Sequence, residues 1–294
     1  MKVGFIGVGM MGGPMCLNLM KGGHEAVVYD IGTDAMERMT GSGATAADSP
    51  QAVAAQSDVI FTSLPMPDDV EQVIMGEKGI AAGAKSGATI VDMSTNAPAV
   101  VRRLAEELAS KGIALIDAPV SGGVDGAESA TLAIMCGGTQ SDFDRVKPLL
   151  DCMGANVFLV GDVGAGSIAK LCNNMTSFCN LAVACEALML ATRAGLNPEV
   201  MANVMQTASG ASFSLKRVAR KGLEGDWAQE FTLNLSYKDL TLAMELGKET
   251  GTHLNFGSQT YALLQQGRAQ GWGGDDLVGI LRLWEQALGT EVRK

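Results

Sequence analysis

A glycine-rich turn at the start of the chain limits the possible folds more than any other feature. Residues Gly7-Val8-Gly9-Met10-Met11-Gly12 follow the apolar run Lys2–Ile6 and open a helical pattern reaching about Lys21. In a strand–turn–helix that receives a pyrophosphate, each glycine meets a separate need. The first permits the tight turn, the second lets phosphate approach the backbone, and the third lets helix and strand pack closely. The helix start then offers free N–H groups and a partial positive charge. Such a motif alone is weak, and a purely structural glycine turn is the competing reading. Here a second β-rich run, Ala26–Tyr29, completes the strand–helix–strand order that dinucleotide binding requires. That run ends at Asp30, where a carboxylate accepts hydrogen bonds from an adenosine ribose and repels a 2′-phosphate. The next residues, Ile31, Gly32 and Thr33, bring no arginine, so the expected cofactor is NAD rather than NADP.

Further β-rich runs lie at Val59–Leu64, Thr89–Met93, Ala114–Val120, Thr131–Cys136 and Asn156–Val160. Helical patterns alternate with them. One spans Ala97–Lys111, with Asn96 as N-cap, Pro98 in the first turn and Gly112 as the stop. Another spans Asp142–Met153 after Ser141. Strands alternating with helices imply a mainly parallel sheet covered on both faces. Past about residue 163 the strand signals end. A long helix is expected over Gly166–Ala194, then helices near Glu199–Thr207, Leu235–Thr250, Gln259–Ala269 and Asp275–Leu288. The expected architecture is an α/β Rossmann-type N-terminal domain with a mainly parallel sheet over residues 1–163. An all-α C-terminal domain for substrate binding and oligomerisation follows over 164–294, beginning with a long interdomain helix.

Composition removes several function classes. The 294 residues carry a net charge of -10, which argues against nucleic acid or an anionic membrane as a partner. A small anionic substrate needs only one or two local donors and stays open. The apolar stretch Phe178–Leu190 is broken by Asn180 and Glu186 and reads as too short and too polar to span a bilayer. No leader-like segment is visible, so a cytoplasmic protein is expected. None of the six cysteines forms a C-x-x-C pair and only two histidines are present, so no metal site is expected. The cysteines read as small buried hydrophobes in a reducing compartment.

Three more stretches carry a family resemblance: Asp117-Ala118-Pro119-Val120-Ser121-Gly122-Gly123, Gly164-Ala165-Gly166-Ser167-Ile168-Ala169-Lys170-Leu171-Cys172-Asn173-Asn174, and Lys238-Asp239-Leu240. With the glycine turn, and in this order over essentially the whole chain, they resemble the 3-hydroxyisobutyrate dehydrogenase family of β-hydroxyacid dehydrogenases. That family includes tartronate semialdehyde reductase and glyoxylate reductase relatives. The resemblance implies that Lys170 is the catalytic acid/base and that Ser121, Gly122, Gly123 and Asn174 position the substrate. It further implies that Leu64, Pro65, Thr95 and Lys238 touch the cofactor alongside Gly7, Gly9, Met10, Met11, Gly12 and Asp30.

Residue chemistry points the same way. Hydride transfer at a carbinol carbon needs a group that takes or returns the hydroxyl proton. His24 and His253 both read as turn residues. Lys170 lies four residues before Asn174, on one face of an otherwise apolar helix. A lysine there must find partners or give up its charge, and desolvation beside a positive nicotinamide ring favours the neutral base. The competing reading is a lysine that reaches solvent near a helix start. Ser121-Gly122-Gly123 offers a hydroxyl and backbone N–H groups to a carboxylate, or is an ordinary strand-ending turn. Leu64-Pro65 and Thr95 end strands at the ligand edge of such a sheet, or are loop punctuation and a helix cap. Lys238 begins a helix and reaches a ligand, or is a solvated charge.

The expected reaction is reversible hydride transfer between NAD and a small 3-hydroxy carboxylic acid, 3-hydroxyisobutyrate giving methylmalonate semialdehyde. Tartronate semialdehyde, glyoxylate, succinic semialdehyde and a sulfonated aldehyde are the alternative substrates. A catalytically silent NAD-binding protein is the rival of another class. Phe213 is expected to wall the distal pocket, with Lys216, Arg217 and Arg220 either meeting a second anionic group or forming a basic helix surface. The apolar helical half suggests a homodimer or homotetramer.

Overall fold

The computed structural model describes residues 1–294. Nine strands form one sheet: β1 (Lys2–Ile6), β2 (Glu25–Tyr29), β3 (Thr45–Ala46), β4 (Val59–Thr62), β5 (Thr89–Asp92), β6 (Ala114–Asp117), β7 (Val120–Ser121), β8 (Ala133–Gly137) and β9 (Asn156–Gly161). Their order is β3-β2-β1-β4-β5-β6-β8-β7, with β9 also pairing β8. The run from β3 to β6 is parallel, β8 is antiparallel to β6 and β7, and β9 is parallel to β8. Period-two alternation sends neighbouring residues to opposite faces. Phe5, Val28, Phe61 and Val91 enter one core, while Ile6, Val27, Ile60 and Ile90 enter the other. Covering both faces is what turns β4 and β5 into unbroken buried runs.

Helices cover the sheet: α1 (Gly12–Lys21), α2 (Thr33–Gly41), α3 (Pro50–Ala54), α4 (Pro67–Met75), α5 (Ile80–Gly83), α6 (Pro98–Ala109), α7 (Gly123–Glu128) and α8 (Gln140–Leu150). The chain leaves β1 for β2 on one side, and β4 joins β1 on the other. Ligands of such sheets bind beyond the strand ends at this reversal.

The chain divides into two compact units, Met1–Lys170 and Leu171–Lys294. The helix α9 (Ala165–Arg193) runs through the division. The second unit continues with α10 (Pro198–Thr207), α11 (Phe213–Lys221), α12 (Leu233–Thr250), α13 (Asn255–Ala269) and α14 (Leu281–Leu288). Along α9 the buried residues Leu171, Asn174, Phe178, Leu181, Cys185 and Leu188 follow one another at steps of three and four, one stripe of a helix. By length and composition α9 could cross a membrane, with a mean hydropathy of 1.4, so the expectation that its apolar part is too short and polar does not hold by that measure. The buried stripe accounts for part of that hydropathy, while Val183 and Leu190 on the same helix are exposed.

Several expected boundaries move for local reasons. The run Ala114–Val120 splits after Asp117, because Pro119 has no N–H to give a strand partner. Asn96 is not the N-cap of α6; Ala97 takes that place with extended backbone, and Asn96 Oδ1 accepts from the Ala97 N–H at 2.8 Å. Helix α8 starts ahead of Ser141 because Thr139 caps it, accepting from the Asp142 N–H at 3.1 Å. The helix expected from Asp275 is a 3-10 turn, Leu277–Ile280, capped by Asp276 and leading into α14. The segment Val124–Ala127 is part of α7, and Asn18 Nδ2 donates to Ala127 O at 2.6 Å, tying it to α1.

Candidate functional site

The glycine turn is built from contacts that only glycine tolerates. Gly7 has φ +84°, and a Cβ there would stand 2.3 Å from Ser63 O. A Cβ on Gly12 would stand 1.8 Å from Gly7 O, so helix α1 and the turn touch backbone to backbone. Gly9 is the reverse case, with nothing within 4 Å of its added Cβ. The turn is closed where the fold needs closeness and open at its middle glycine, which fits a pyrophosphate approaching the backbone there. Met10 is exposed and Met11 half-buried at the helix start.

Asp30 stands at the end of β2 as expected, and it also fastens the turn. Its Oδ2 accepts from the Val8 N–H at 2.7 Å and its Oδ1 from the Gly32 N–H at 2.7 Å. Each carboxylate oxygen keeps a further lone pair, so a ribose hydroxyl can still donate to it.

Leu64, Pro65 and Thr95 follow the neighbouring strands β4 and β5. Their loops are tied together by a residue that sequence reasoning missed. Asp92 Oδ1 accepts from Thr62 Oγ1 at 2.8 Å and from the Ser94 N–H at 3.1 Å, and Ser94 Oγ accepts from the Leu64 N–H at 2.9 Å. Burial pushes the Asp92 carboxyl above the usual carboxylate range, against the pull of its hydrogen bonds. The available signal was an acid closing an otherwise apolar strand run.

Lys170 is buried rather than extended into solvent. It is 9% exposed, and its Nζ donates to Val120 O at 2.6 Å. That carbonyl belongs to β7, the strand that ends in Ser121, so Nζ is held at the root of the Ser121-Gly122-Gly123 turn. Gly122 has φ +142° and Gly123 φ +66°, conformations that favour glycine, and both residues are exposed.

In the second unit Asn174 and Lys238 share one partner. Asn174 Nδ2 donates to Asp239 Oδ2 at 2.6 Å, and Lys238 Nζ pairs with Asp239 Oδ1 at 2.9 Å. Because a carboxylate only accepts, it turns the Asn174 amide so that Oδ1 faces the other way, where Asn173 Nδ2 donates to it at 3.1 Å. Asp239 lay inside a stretch singled out in the sequence, yet no role was assigned to it. Of the two readings of the basic helix, a second anion site or a helix surface, the ion pairs of Arg217 and Arg220 favour the surface. Arg217 binds the buried Asp276 at 2.5 Å and Arg220 binds Glu230 at 2.5 Å, so both guanidiniums are committed to carboxylates. Phe213 is 72% exposed and walls nothing within its unit. Cys16, Cys136 and Cys185 are buried as expected, but Cys172 is exposed.

Residues 2–161 match the family model of the NAD binding domain of 6-phosphogluconate dehydrogenase. Residues 164–284 match that of the NAD-binding region of NADP-dependent 3-hydroxyisobutyrate dehydrogenase. The chain belongs to the 3-hydroxyisobutyrate dehydrogenase family of β-hydroxyacid dehydrogenases. It is 40% identical to 2-(hydroxymethyl)glutarate dehydrogenase of Eubacterium barkeri over 292 residues, covering 99% of this chain and 97% of the relative. It is 39% identical to 3-hydroxyisobutyrate dehydrogenase of Pseudomonas aeruginosa over 249 residues, covering 82% and 84%. The crystal structure of 3-hydroxyisobutyrate dehydrogenase from Salmonella typhimurium superposes with a TM-score of 0.89 at 28% identity, covering 96% of this chain and 99% of that one. The family members are NAD-binding dehydrogenases of hydroxy acids, and this chain is an enzyme of that class. Membership confirms the Rossmann-type first half and the helical second half.

Proposed function

We propose that the protein oxidises a 2-substituted 3-hydroxypropanoate, HOCH2–CH(R)–COO⁻, to the corresponding semialdehyde, with 3-hydroxyisobutyrate (R methyl) as the preferred compound and NAD preferred over NADP. The observation that carries this is the buried Lys170, whose Nζ stands 2.6 Å from Val120 O at the root of the Ser121 turn. NAD, when bound, supplies the hydride acceptor. Gly7, Gly9 and Gly12 shape its phosphate cradle, with Met10 and Met11 at the helix start. Asp30 accepts from the ribose, and Leu64, Pro65, Thr95 and Lys238 complete the contact. The Ser121 hydroxyl and the Gly122 and Gly123 N–H groups hold the substrate carboxylate. Lys170, as the neutral amine, takes the hydroxyl proton as the carbinol carbon is oxidised, and the ammonium so formed returns it in the reverse direction. Asn174 Oδ1, one helical turn after Lys170, is the acceptor that orients a donated proton.

Two relatives frame the choice of R. The Eubacterium barkeri relative is named for a substrate of the same skeleton whose R carries a second carboxylate, and the Pseudomonas aeruginosa relative for the one with R methyl. The commitment of Arg217 and Arg220 to Asp276 and Glu230 supports the uncharged R. We include a homo-oligomer in this reading, supported by the exposed Val183, Leu190, Leu196, Val200 and Val204 of the second unit.

Initial rates by nicotinamide absorbance test the reading. NAD and NADP would each be run with 3-hydroxyisobutyrate, 2-(hydroxymethyl)glutarate, glycerate, 4-hydroxybutyrate and serine, and NADH and NADPH with glyoxylate, succinic semialdehyde and a sulfonated aldehyde. The highest kcat/KM for 3-hydroxyisobutyrate with NAD is expected. A higher value for 2-(hydroxymethyl)glutarate moves the assignment to a charged R, and a preference for NADP removes the role given to Asp30.

A further inference from the structure

The start of α9 is held in an unusual way. Gly164 precedes the helix and has no side chain with which to cap it. Helix starts leave backbone N–H groups without partners, and a buried start needs acceptors for them. Asp117, at the far end of β6, supplies them from 47 residues away: its Oδ1 accepts from the Gly164 N–H at 2.8 Å. Its Oδ2 accepts from the Ser167 N–H at 2.6 Å and from Ser167 Oγ at 2.9 Å. The carboxylate is 1% exposed, and burial raises it above the usual carboxylate range. The junction leaves little freedom. A Cβ on Gly137 would stand 2.4 Å from Asp117 Oδ1, and a Cβ on Gly166 would stand 2.2 Å from Met135 O.

These contacts close a ring. Three residues along the chain from Asp117 is Val120, whose carbonyl accepts from Lys170 Nζ. Three residues along the helix from Ser167 is Lys170 itself. One side of the ring is the Asp117–Val120 backbone, and the other is the first turns of α9. Asp117 pins one junction of the two sides and the lysine–carbonyl bond closes the other. Sliding or rotating the helix start by one ångström would therefore carry the ammonium away from the Ser121 turn.

We propose that Asp117 is a positioning residue, acting through the start of α9 to set where the Lys170 ammonium stands over the Ser121–Gly123 turn. The inference rests on the reading of Lys170 as the acid/base. A misplacement of about 1 Å in a reacting group costs on the order of 100-fold in rate. Asp117→Asn keeps the shape but offers an NH2 where an oxygen accepted, so one helix N–H is opposed. It is expected to lower kcat by about 100-fold while changing the dissociation constant for NADH by less than about twofold, because the glycine turn after β1 is not part of the ring. Ser167→Ala removes only the Oγ bond and should give a smaller loss of the same kind.

A double-mutant cycle separates positioning from general damage. Rates would be measured for Asp117→Asn, Lys170→Ala and the double variant, with thermal unfolding confirming that each is folded. If Asp117 works through Lys170, adding Asp117→Asn to Lys170→Ala leaves the residual rate unchanged within about twofold. The proposal is overturned by wild-type kcat in Asp117→Asn, or by an equal fractional loss in both backgrounds. Should Asp117→Asn fail to fold, Ser167→Ala in the same cycle decides by the same criteria. Full turnover in Lys170→Ala alone would instead overturn the acid/base reading on which the inference stands.

Discussion

Replacing Gly9 by alanine separates cofactor binding from folding. The added methyl meets nothing within 4 Å. Gly9 is also absent from the residues with positive φ, so its backbone suits an L-residue. The folded protein should not notice the change, and the unfolding temperature should stay within about 2 °C, as for a surface substitution worth less than about 0.5 kcal/mol. The empty space has one use in the proposed site, the approach of a pyrophosphate to backbone N–H groups. A methyl there holds the phosphate off and weakens one or two hydrogen bonds to a charged group, each worth about 1.5–3 kcal/mol. The dissociation constant for NADH should then rise by about 10- to 100-fold. Titration by nucleotide fluorescence, with calorimetry on the same sample, reads both quantities. Gly12→Ala gives the contrast. Its methyl would begin 1.8 Å from Gly7 O against an ordinary contact of 3.4 Å, so 3.4 − 1.8 = 1.6 Å of movement is required. Overpacking of that kind costs about 1–3 kcal/mol, and the unfolding temperature should fall along with affinity. A folded Gly9→Ala protein with wild-type affinity for NADH would refute the assignment of this space to the cofactor.

Three further outcomes are expected. Lys170→Ala should lose kcat by at least about 100-fold, the usual scale for a general acid/base, and keep its NADH affinity, read by the same titration. Asp276 accepts from Arg217 and from the backbone N–H groups of Glu230, Phe231 and Val278 while fully buried, so Asp276→Ala should lower stability in urea by about 3–5 kcal/mol through the three N–H groups that lose their acceptor and a guanidinium left only its longer 3.8 Å contact with Glu230. Burial holds the Asp92 carboxyl above its ordinary value, so its contribution to stability is complete below the unfolded-state pKa of about 3.9 and is lost as pH rises through the folded value. Asp92→Asn keeps an oxygen for Thr62 and Ser94 without that loss; its unfolding temperature minus that of the wild type should rise between pH 4 and pH 7, and a difference that stays constant or falls over this range counts against the argument.

The parts of the molecule legible in the sequence are those set by short-range pattern. The glycine turn, the seven apolar runs and the long helix each announce themselves within a few residues, because turn sterics and side-chain period act locally. Boundaries are less legible. Thr139 rather than Ser141 caps α8, and Ala97 rather than Asn96 precedes α6, since several neighbouring residues satisfy the same rule and tertiary packing selects one. Arg217, Arg220, Lys216 and Phe213 show the harder limit. Basic and aromatic residues in a helix look alike whether they face a ligand, a carboxylate or solvent, and the partners Asp276 and Glu230 lie too far along the chain for spacing to reveal.

Asp92 and Asp117, whose roles sequence reasoning missed, share a physical origin with Asp30, which it singled out. In a parallel sheet the loops leaving the strand ends have backbone N–H groups that no ladder satisfies, and those loops are where ligands bind. Asp30, Asp92 and Asp117 each close a strand and each accept such groups: Val8 and Gly32, Ser94, then Gly164 and Ser167. Asp239 does the same work between side chains, holding Asn174 and Lys238. This explains how a chain of net charge -10 can serve an anionic cofactor and an anionic substrate. Its acids at the ligand edge accept from loop N–H groups, which offsets part of their charge. In the proposed site the backbone N–H groups of the glycine turns are the donors assigned to phosphate and carboxylate. An acid that closes an apolar strand in such a sheet is therefore better read as the anchor of the following loop than as a solvated turn residue.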